Sequence, residues 1–197
     1  MKNFIKKIIN EKRDRGFTIL ETLVAIFILV LSITGPMVFA QSGLRTAFLA
    51  RDQITSFFLA QDAVETIKNM RDNNALNGAN NWLDGIFACD QNLNPTCLIS
   101  IDTTMSTTTP EIDICTSGTC PPLKTDASGR FGYNFSINDS SDSRFTRNIY
   151  LTEVVPGAEL QIVVEMTWTS NVRVGDSRIV VQENIFNWIP NIAPTTP

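Results

Sequence analysis

The carboxylate of Glu21 lies in an apolar segment, where inserting a charge into a membrane is energetically costly. Glu21 is the only charged residue in the apolar run Phe17–Ala40. About 20 consecutive apolar residues are enough to cross a bilayer, and insertion scales put the cost of a carboxylate within such a segment at up to about 3.5 kcal/mol. Pairing with an ammonium group would offset much of that cost. Because the run contains no basic residue, we expect Glu21 to find its cationic partner elsewhere.

Glu21 also ends a short motif behind a basic leader. The segment Gly16-Phe17-Thr18-Ile19-Leu20-Glu21 resembles the processing site of type IV prepilins and type II secretion pseudopilins. This resemblance implies that a prepilin peptidase removes the leader, residues 1–16, and methylates the new terminal amine at Phe17. It also implies that Glu21 meets the terminal amine of a neighbouring subunit. Such a pair would set the axial register of an assembly, since a shifted subunit would leave both charges unpaired.

The resemblance also implies the partners. These are other pilin subunits, the prepilin peptidase/methyltransferase, an inner-membrane assembly platform and, before assembly, the lipid bilayer. It implies no cofactor and no catalytic residue. The later segments Phe145-Thr146-Arg147, Glu165–Trp168 and Asn187-Trp188 are similar to those of minor pilins and minor pseudopilins. The presence of Glu21 argues against a tip subunit that lacks this glutamate.

Two other interpretations of the N-terminus compete with processing at Gly16. An ordinary secretory signal would be cut after Val38-Phe39-Ala40, which has the small residue such sites need. However, its apolar region normally spans about 7–15 residues, and the run here is longer and contains Glu21. A plain signal anchor explains the length of the run but leaves Glu21 unexplained.

Charge predicts the orientation of the chain and excludes several functions. The leader has a net charge of +4, so the positive-inside rule keeps it in the cytoplasm and sends the C-terminal part across the inner membrane. Removing that +4 from the whole-chain charge of −4 leaves −8. An acidic exported domain lacks the basic surface that binds a nucleic-acid backbone. The absence of histidine excludes Ser-His-Asp catalysis and His-containing zinc sites, and we predict neither an enzyme nor a metal site.

The four cysteines predict disulfides in an exported domain. An even count favours two bonds, and local pairing would join Cys89 to Cys97 and Cys115 to Cys120. Free thiols and a four-thiolate metal site are the alternatives. The spacings Cys-x7-Cys and Cys-x4-Cys are poor for a metal.

The motif must be carried by a long helix. Residues 17–40 form its membrane half, and residues 41–74 form an amphipathic half whose apolar positions between Leu44 and Met70 recur at three- and four-residue spacings. Gly35 and Pro36 predict a helix break, either an ordinary membrane kink or a segment that melts in an assembly. A continuous helix from Phe17 to Arg71 would be about 80 Å long. Such a helix needs lipid and neighbouring subunits to cover it.

The remainder predicts an α+β fold, with the long helix packed on a C-terminal antiparallel sheet of about four strands. Residues 75–130 form a disulfide-bearing αβ loop, residues 131–189 the sheet, and residues 190–197 a disordered tail. Alternating apolar residues place the strands at Phe131–Ile137, Phe145–Val155, Leu160–Thr169 and Ser177–Trp188. Within the loop we expect a short strand at Cys97–Asp102, a flexible tip at Thr103–Pro110, and docking of four apolar residues on the helix: Trp82, Leu83, Ile86 and Phe87. Asn138–Ser143 is predicted as a polar turn, and the alternative is a calcium loop at Asn138–Asp142.

We therefore predict a structural subunit of a type IV pilus or pseudopilus-like filament. It would be made as a single-pass membrane prepilin, cleaved after Gly16, methylated at Phe17 and assembled through its helix. The alternative is a membrane-tethered extracytoplasmic binding or adhesin domain that does not polymerise.

Overall fold

The computed structural model describes residues 16, 18–79, 81–86, 96–101, 110–115, 118–133, 135, 140–170 and 175–188. It divides into two units, Met1–Thr46 and Ala47–Pro197. The described residues form one helix and seven strands: α1 Ile19–Leu76, β1 Cys97–Ile101, β2 Pro110–Ile114, β3 Pro122–Asp126, β4 Phe131–Gly132, β5 Ser140–Val155, β6 Glu159–Thr169 and β7 Asp176–Phe186.

Within the first unit, α1 is exposed along almost its whole length. Its exposed side chains include most of the large apolar residues between Ile19 and Phe39, and α1 is long and apolar enough to cross a membrane. A helix that is apolar on every side needs lipid or protein around it. α1 also continues through Gly35 and Pro36 as an uninterrupted α-helix. Pro36 has no N–H group to donate to the Ser32 carbonyl, which weakens the helix at this point. The predicted bend or local melting there stays a prediction.

Within the second unit, α1 buries one face against the sheet. The buried positions recur every three or four residues: Asp52, Ser56, Ala60, Ala63, Val64, Ile67 and Met70. This spacing places them on one side of a helix. α1 ends at Leu76, just before Gly78, which adopts the left-handed conformation with φ of 67°. Asn74 lies in the last turn, and its side-chain amide donates to the carbonyls of Trp82 (3.1 Å) and Asp84 (2.8 Å).

The sheet is organised around β5, its longest strand. One edge of β5 pairs antiparallel with β6, from Phe145–Trp168 to Val155–Glu159, and β6 pairs in the same way with β7. The other edge of β5 pairs with β3 near its start and with β1 at Ile149. β2 adds to β1, and β4 adds to β3. The strands β5, β6 and β7 therefore form the predicted antiparallel meander.

The predicted α+β fold is confirmed, but the predicted number of strands is wrong. The described residues contain seven strands instead of about four. β1 confirms the short strand expected at Cys97–Asp102, whereas β2 and β3 lie in parts of the segment 75–130 predicted as loop. Each of these three is only five residues long, and two begin with proline, so alternation and propensity give a weak signal. Conversely, β4 covers only the first two residues of the strand predicted at Phe131–Ile137. β5 already begins at Ser140, within the polar segment predicted as a turn.

The core lies between the helix and one face of the sheet. It contains Ile67 from α1, Leu123 from β3, and the alternating residues Ile162, Val164 and Met166 from β6. Trp82, Leu83 and Ile86 are buried in the same cluster, as the docking prediction required. Phe87 and residues 103–109 of the tip predicted at Thr103–Pro110 lie outside the described residues, while Pro110 begins β2.

Replacing Ile162 with alanine tests the position of this core. Ile162 is fully buried, so Ile162→Ala should lower the free energy of unfolding by about 2–5 kcal/mol. Val180→Ala, at a half-exposed position of β7, is the matched control and should cost less than about 1 kcal/mol. Urea unfolding of the full-length chain in detergent, followed by tryptophan fluorescence, measures both. Equal losses for the two variants would contradict this assignment of the core.

Candidate processing and assembly site

The motif lies at the point where α1 begins. Thr18 precedes the first helical residue, and its hydroxyl accepts a hydrogen bond from the backbone N–H of Glu21 (3.2 Å). The N–H of Thr22 donates to the Thr18 carbonyl (3.1 Å). Thr18 is therefore the N-cap, and Glu21 lies three residues later, where a carboxylate is favoured by the helix dipole. Thr18-x-x-Glu21 has the spacing of a capping box, a local role for Glu21 that the sequence analysis missed.

This local role leaves the Glu21 carboxylate without a cationic partner. Glu21 is exposed, and no ion pair to it occurs within the part of the chain that the structure describes. Phe17, the predicted source of the amine, lies outside that part, so the pairing stays a prediction.

Gly16 is not required by the packing of the chain. A Cβ atom added at this exposed residue would meet no atom within 4 Å. A need for glycine at this position would therefore have to come from an outside partner, such as a peptidase.

One predicted disulfide is present, and it fastens a loop to the sheet. Cys115 and Cys120 are bonded, with Cα atoms 5.1 Å apart. The backbone N–H of Cys120 donates to the side-chain oxygen of Asn148 on β5 (3.0 Å), and that of Cys115 donates to the carbonyl of Thr96 (3.1 Å). Cys97 is also disulfide-bonded. Since Cys89 lies outside the described residues, its pairing with Cys97 stays a prediction.

Two ion pairs between α1 and β5 were not predicted. Asp52 faces the sheet with its side chain only 6% exposed, and it accepts from Arg144 (3.1 Å), which is 46% exposed. The second pair reverses this arrangement, because Arg147 is buried at 5% exposure while Asp62 is 63% exposed (3.2 Å). Each pair thus places one buried charge at the interface between helix and sheet. The available signal was an aspartate on the apolar face of the helix and an arginine among the alternating residues of the strand.

Arg147 ties three elements together. One terminal nitrogen of its guanidinium group donates to the Leu59 carbonyl of α1 (3.1 Å), and the other donates to the Ile99 carbonyl of β1 (3.4 Å). The guanidinium group also lies 6.0 Å from the centroid of the Tyr133 ring, within the range of a cation–π contact. Arg147 therefore fixes the sheet against one side of α1.

The two tyrosines of the chain have raised pKa values. Burial raises the pKa of the Tyr133 phenol, although the Arg147 cation opposes this shift. Burial also raises the pKa of Tyr150, and the Glu165 carboxylate, which accepts a hydrogen bond from its hydroxyl (3.2 Å), adds to the effect. Both phenols are therefore held in the neutral form.

The structure contains no group of three or more His, Cys, Asp or Glu residues placed to hold a metal within the ranges that it describes. The alternative calcium loop at Asn138–Asp142 lies partly outside those ranges, and its described residues, 140–142, belong to β5.

Removing Arg144 tests the first ion pair. Arg144→Ala leaves the Asp52 carboxylate buried without a counter-charge, and we expect a loss of about 1–3 kcal/mol, since Arg144 is partly exposed. Adding Asp52→Asn to this variant should recover part of the loss because the uncompensated charge is gone. Urea unfolding of the full-length chain in detergent gives both values. A double variant no more stable than Arg144→Ala would contradict this account.

The raised pKa values of the two tyrosines should make the free energy of unfolding fall at alkaline pH. Their folded pKa values lie above the unfolded value of about 10, so the stability linked to the neutral phenols is fully present below pH 10. It is lost as the pH rises through the folded pKa values. Absorbance titration should place tyrosinate formation higher in the folded chain than in the urea-unfolded chain. Tyr150→Phe isolates Tyr133, and coincident folded and unfolded titrations of this variant would contradict the shift.

Comparison with known proteins bears on the N-terminal part of the chain. Residues 12–35 match the family model described as the prokaryotic N-terminal methylation motif. The comparisons with curated proteins and with solved structures give no match. The matched range contains Gly16, Phe17 and Glu21, and it points to a structural pilin and not to an enzyme. The chain therefore carries a prepilin-type N-terminal methylation motif, consistent with the type IV pilin and pseudopilin family.

Proposed function

We propose that this chain is a structural subunit of a type IV pilus or pseudopilus-like filament. It is made as a membrane-inserted prepilin, cleaved after Gly16, methylated on the amine of Phe17 and assembled through its N-terminal helix. The observation that carries this proposal is the methylation motif at residues 12–35, placed at the start of a helix long and apolar enough to cross a membrane.

The state of Glu21 supports assembly in addition to anchoring. An anchor needs only apolar length, whereas this helix keeps a carboxylate in its first turn without an ion-pair partner among the described residues. In lipid, a carboxylate and an ammonium group each carry a large desolvation cost, and pairing offsets much of it. The methylated amine of Phe17 in a neighbouring subunit supplies that ammonium group.

The charge distribution supports the proposed location. The leader carries a net charge of +4, which keeps residues 1–16 in the cytoplasm and places the second unit outside the inner membrane. The disulfide between Cys115 and Cys120 fits an oxidising compartment. After assembly the second unit would form the outer surface of the filament.

The partners follow from this sequence of events. A prepilin peptidase/methyltransferase acts on the Gly16–Phe17 bond, and the bilayer holds the helix until an inner-membrane assembly platform moves the subunit into the fibre. Other pilin subunits, identical or related, then replace lipid around the exposed part of α1. The chain itself supplies no catalytic group in this scheme.

Glu21→Gln tests the pairing without removing the helix cap. Glutamine serves in a capping box as glutamate does, so the start of α1 should be preserved while the charge is lost. We expect normal cleavage and an amount of protein in sheared filaments at least about tenfold lower, since an unpaired buried ammonium group costs on the order of 3 kcal/mol. Quantitative immunoblotting of the filament and membrane fractions measures this.

Two control variants separate the roles of this region. Ser32→Ala changes a polar but uncharged residue of the same apolar helix, and Thr18→Ala removes the cap at a cost of about 1 kcal/mol. Both should assemble nearly as well as the unmodified chain. If Glu21→Gln assembles as well as these controls, the pairing is refuted. A chain found only in the membrane fraction in every case would indicate a tethered binding domain.

A further inference from the structure

The last strand of the sheet has a free edge. Among the residues that the structure describes, β7 pairs only with β6, and no turn or loop backbone hydrogen-bonds to it. In an antiparallel strand, every second residue directs its N–H and C=O groups away from the partner strand. β7 is eleven residues long and pairs with β6 without a bulge, whereas protected edges are often short, bulged or interrupted by proline. Its outer edge is therefore able to accept another strand.

A groove runs between this edge and α1. Its apolar part has a volume of about 380 Å³ and is lined mainly by Ile54, Phe57 and Phe58 of α1 and by residues 179–181 of β7. The three helix side chains are exposed, and clustered apolar residues of this kind mark an interaction site. A strand added to β7 would direct every second side chain toward α1. Those side chains would cover the three exposed residues.

The adjoining part of the groove is acidic. It has a volume of about 470 Å³, and its charged lining consists of the carboxylates of Asp62, Glu65 and Glu183 and the ammonium group of Lys68. Glu183 pairs with Lys68, and Asp62 pairs with Arg147. Glu65 forms no ion pair with any described residue. A basic side chain would complement it. We name the two parts together the edge groove.

We propose that the edge groove binds an extended segment of another protein, which adds to β7 as a further strand of the sheet. This segment has an apolar residue at every second position, facing Ile54, Phe57 and Phe58, and a lysine or arginine beside Glu65. Backbone pairing supplies affinity and the alternate side chains supply specificity, as in other complexes formed by strand addition. The site goes beyond the proposed function, since it requires neither cleavage nor a filament.

Other occupants fit the edge groove less well. A helix uses its backbone groups internally and would leave those of β7 unpaired. The C-terminal segment 189–197 has prolines at 190, 194 and 197, and none of them has an N–H group to donate. The edge strands β2 and β7 of a second copy would each bring two carboxylates to a groove that is already acidic.

A synthetic strand tests the backbone pairing. The probe is the fluorescein-labelled peptide Lys-Thr-Val-Thr-Val-Thr-Val-amide, and two matched peptides carry N-methyl groups either on the valines or on the threonines. Each set of methyl groups blocks one edge of the strand, and only one edge faces β7. One methylated peptide should therefore bind at least about tenfold more weakly than the probe, and the other within about threefold. Fluorescence anisotropy with the full-length chain in detergent measures all three affinities. Equal affinities for the two methylated peptides would overturn the inference.

Variants of the chain test the two parts of the edge groove. Phe58→Ser should weaken binding of the probe, and Glu65→Lys should weaken it about threefold while favouring a peptide with glutamate in place of lysine. The matched control, Glu111→Lys, changes an exposed acidic residue of β2 and should leave both affinities unchanged. Unchanged affinities for the Phe58 and Glu65 variants would overturn the inference.

Deletion of residues 189–197 distinguishes the remaining occupant. If the full-length chain binds the probe only after this deletion, the C-terminal segment of the chain fills the edge groove, and the inference is overturned. Equal binding before and after the deletion supports a site that is open to another protein. Because these measurements need neither cleavage nor filaments, their failure would leave the proposed function standing.

Discussion

The proposed assembly depends on the charge of Glu21, the only charged residue between Phe17 and Ala40. Thr18 caps α1 and fixes the backbone of Glu21 in its first turn, but the carboxylate gains no counter-charge from the described residues. Lipid cannot supply one in the middle of the bilayer. Under the proposed function, the methylated amine of a neighbouring subunit supplies the missing counter-charge.

The second unit holds its part of α1 in a fixed orientation on the sheet. Its core buries one side of α1, while Arg144 and Arg147 of β5 hold Asp52 and Asp62 at two heights of the helix. The side of α1 that bears Arg51, Phe58 and Glu65 remains outward as a result. Rotation of α1 against the sheet would break both ion pairs and bury part of this exposed side. The polar contacts of the interface thus fix which face of α1 is buried and which face stays exposed.

Sequence reasoning succeeded where structure is local. The motif, the amphipathic spacing of the helix, the meander β5–β7 and the short loop closed by Cys115 and Cys120 each depend on residues close together in the chain. It predicted β1 as the short strand at Cys97–Asp102 but missed β2 and β3, which are short and are stabilised by pairing with β1 and β5, respectively. It also missed the helix–sheet ion pairs, since the burial of Arg147 follows from carbonyls on α1 and β1. The cap at Thr18 was visible in the sequence, but the assembly role of Glu21 obscured it.

The N-terminus of the mature protein tests the central claim most directly. N-terminal sequencing, combined with the intact mass of protein from sheared filaments, identifies the first residue and its modification. The account predicts a chain that begins at Phe17 and is heavier by one methyl group. A chain that still begins at Met1 would contradict it, since Glu21 would then have no terminal amine beside it in the membrane. A chain that begins at Gln41 after ordinary signal cleavage would also contradict it, since Glu21 itself would be lost.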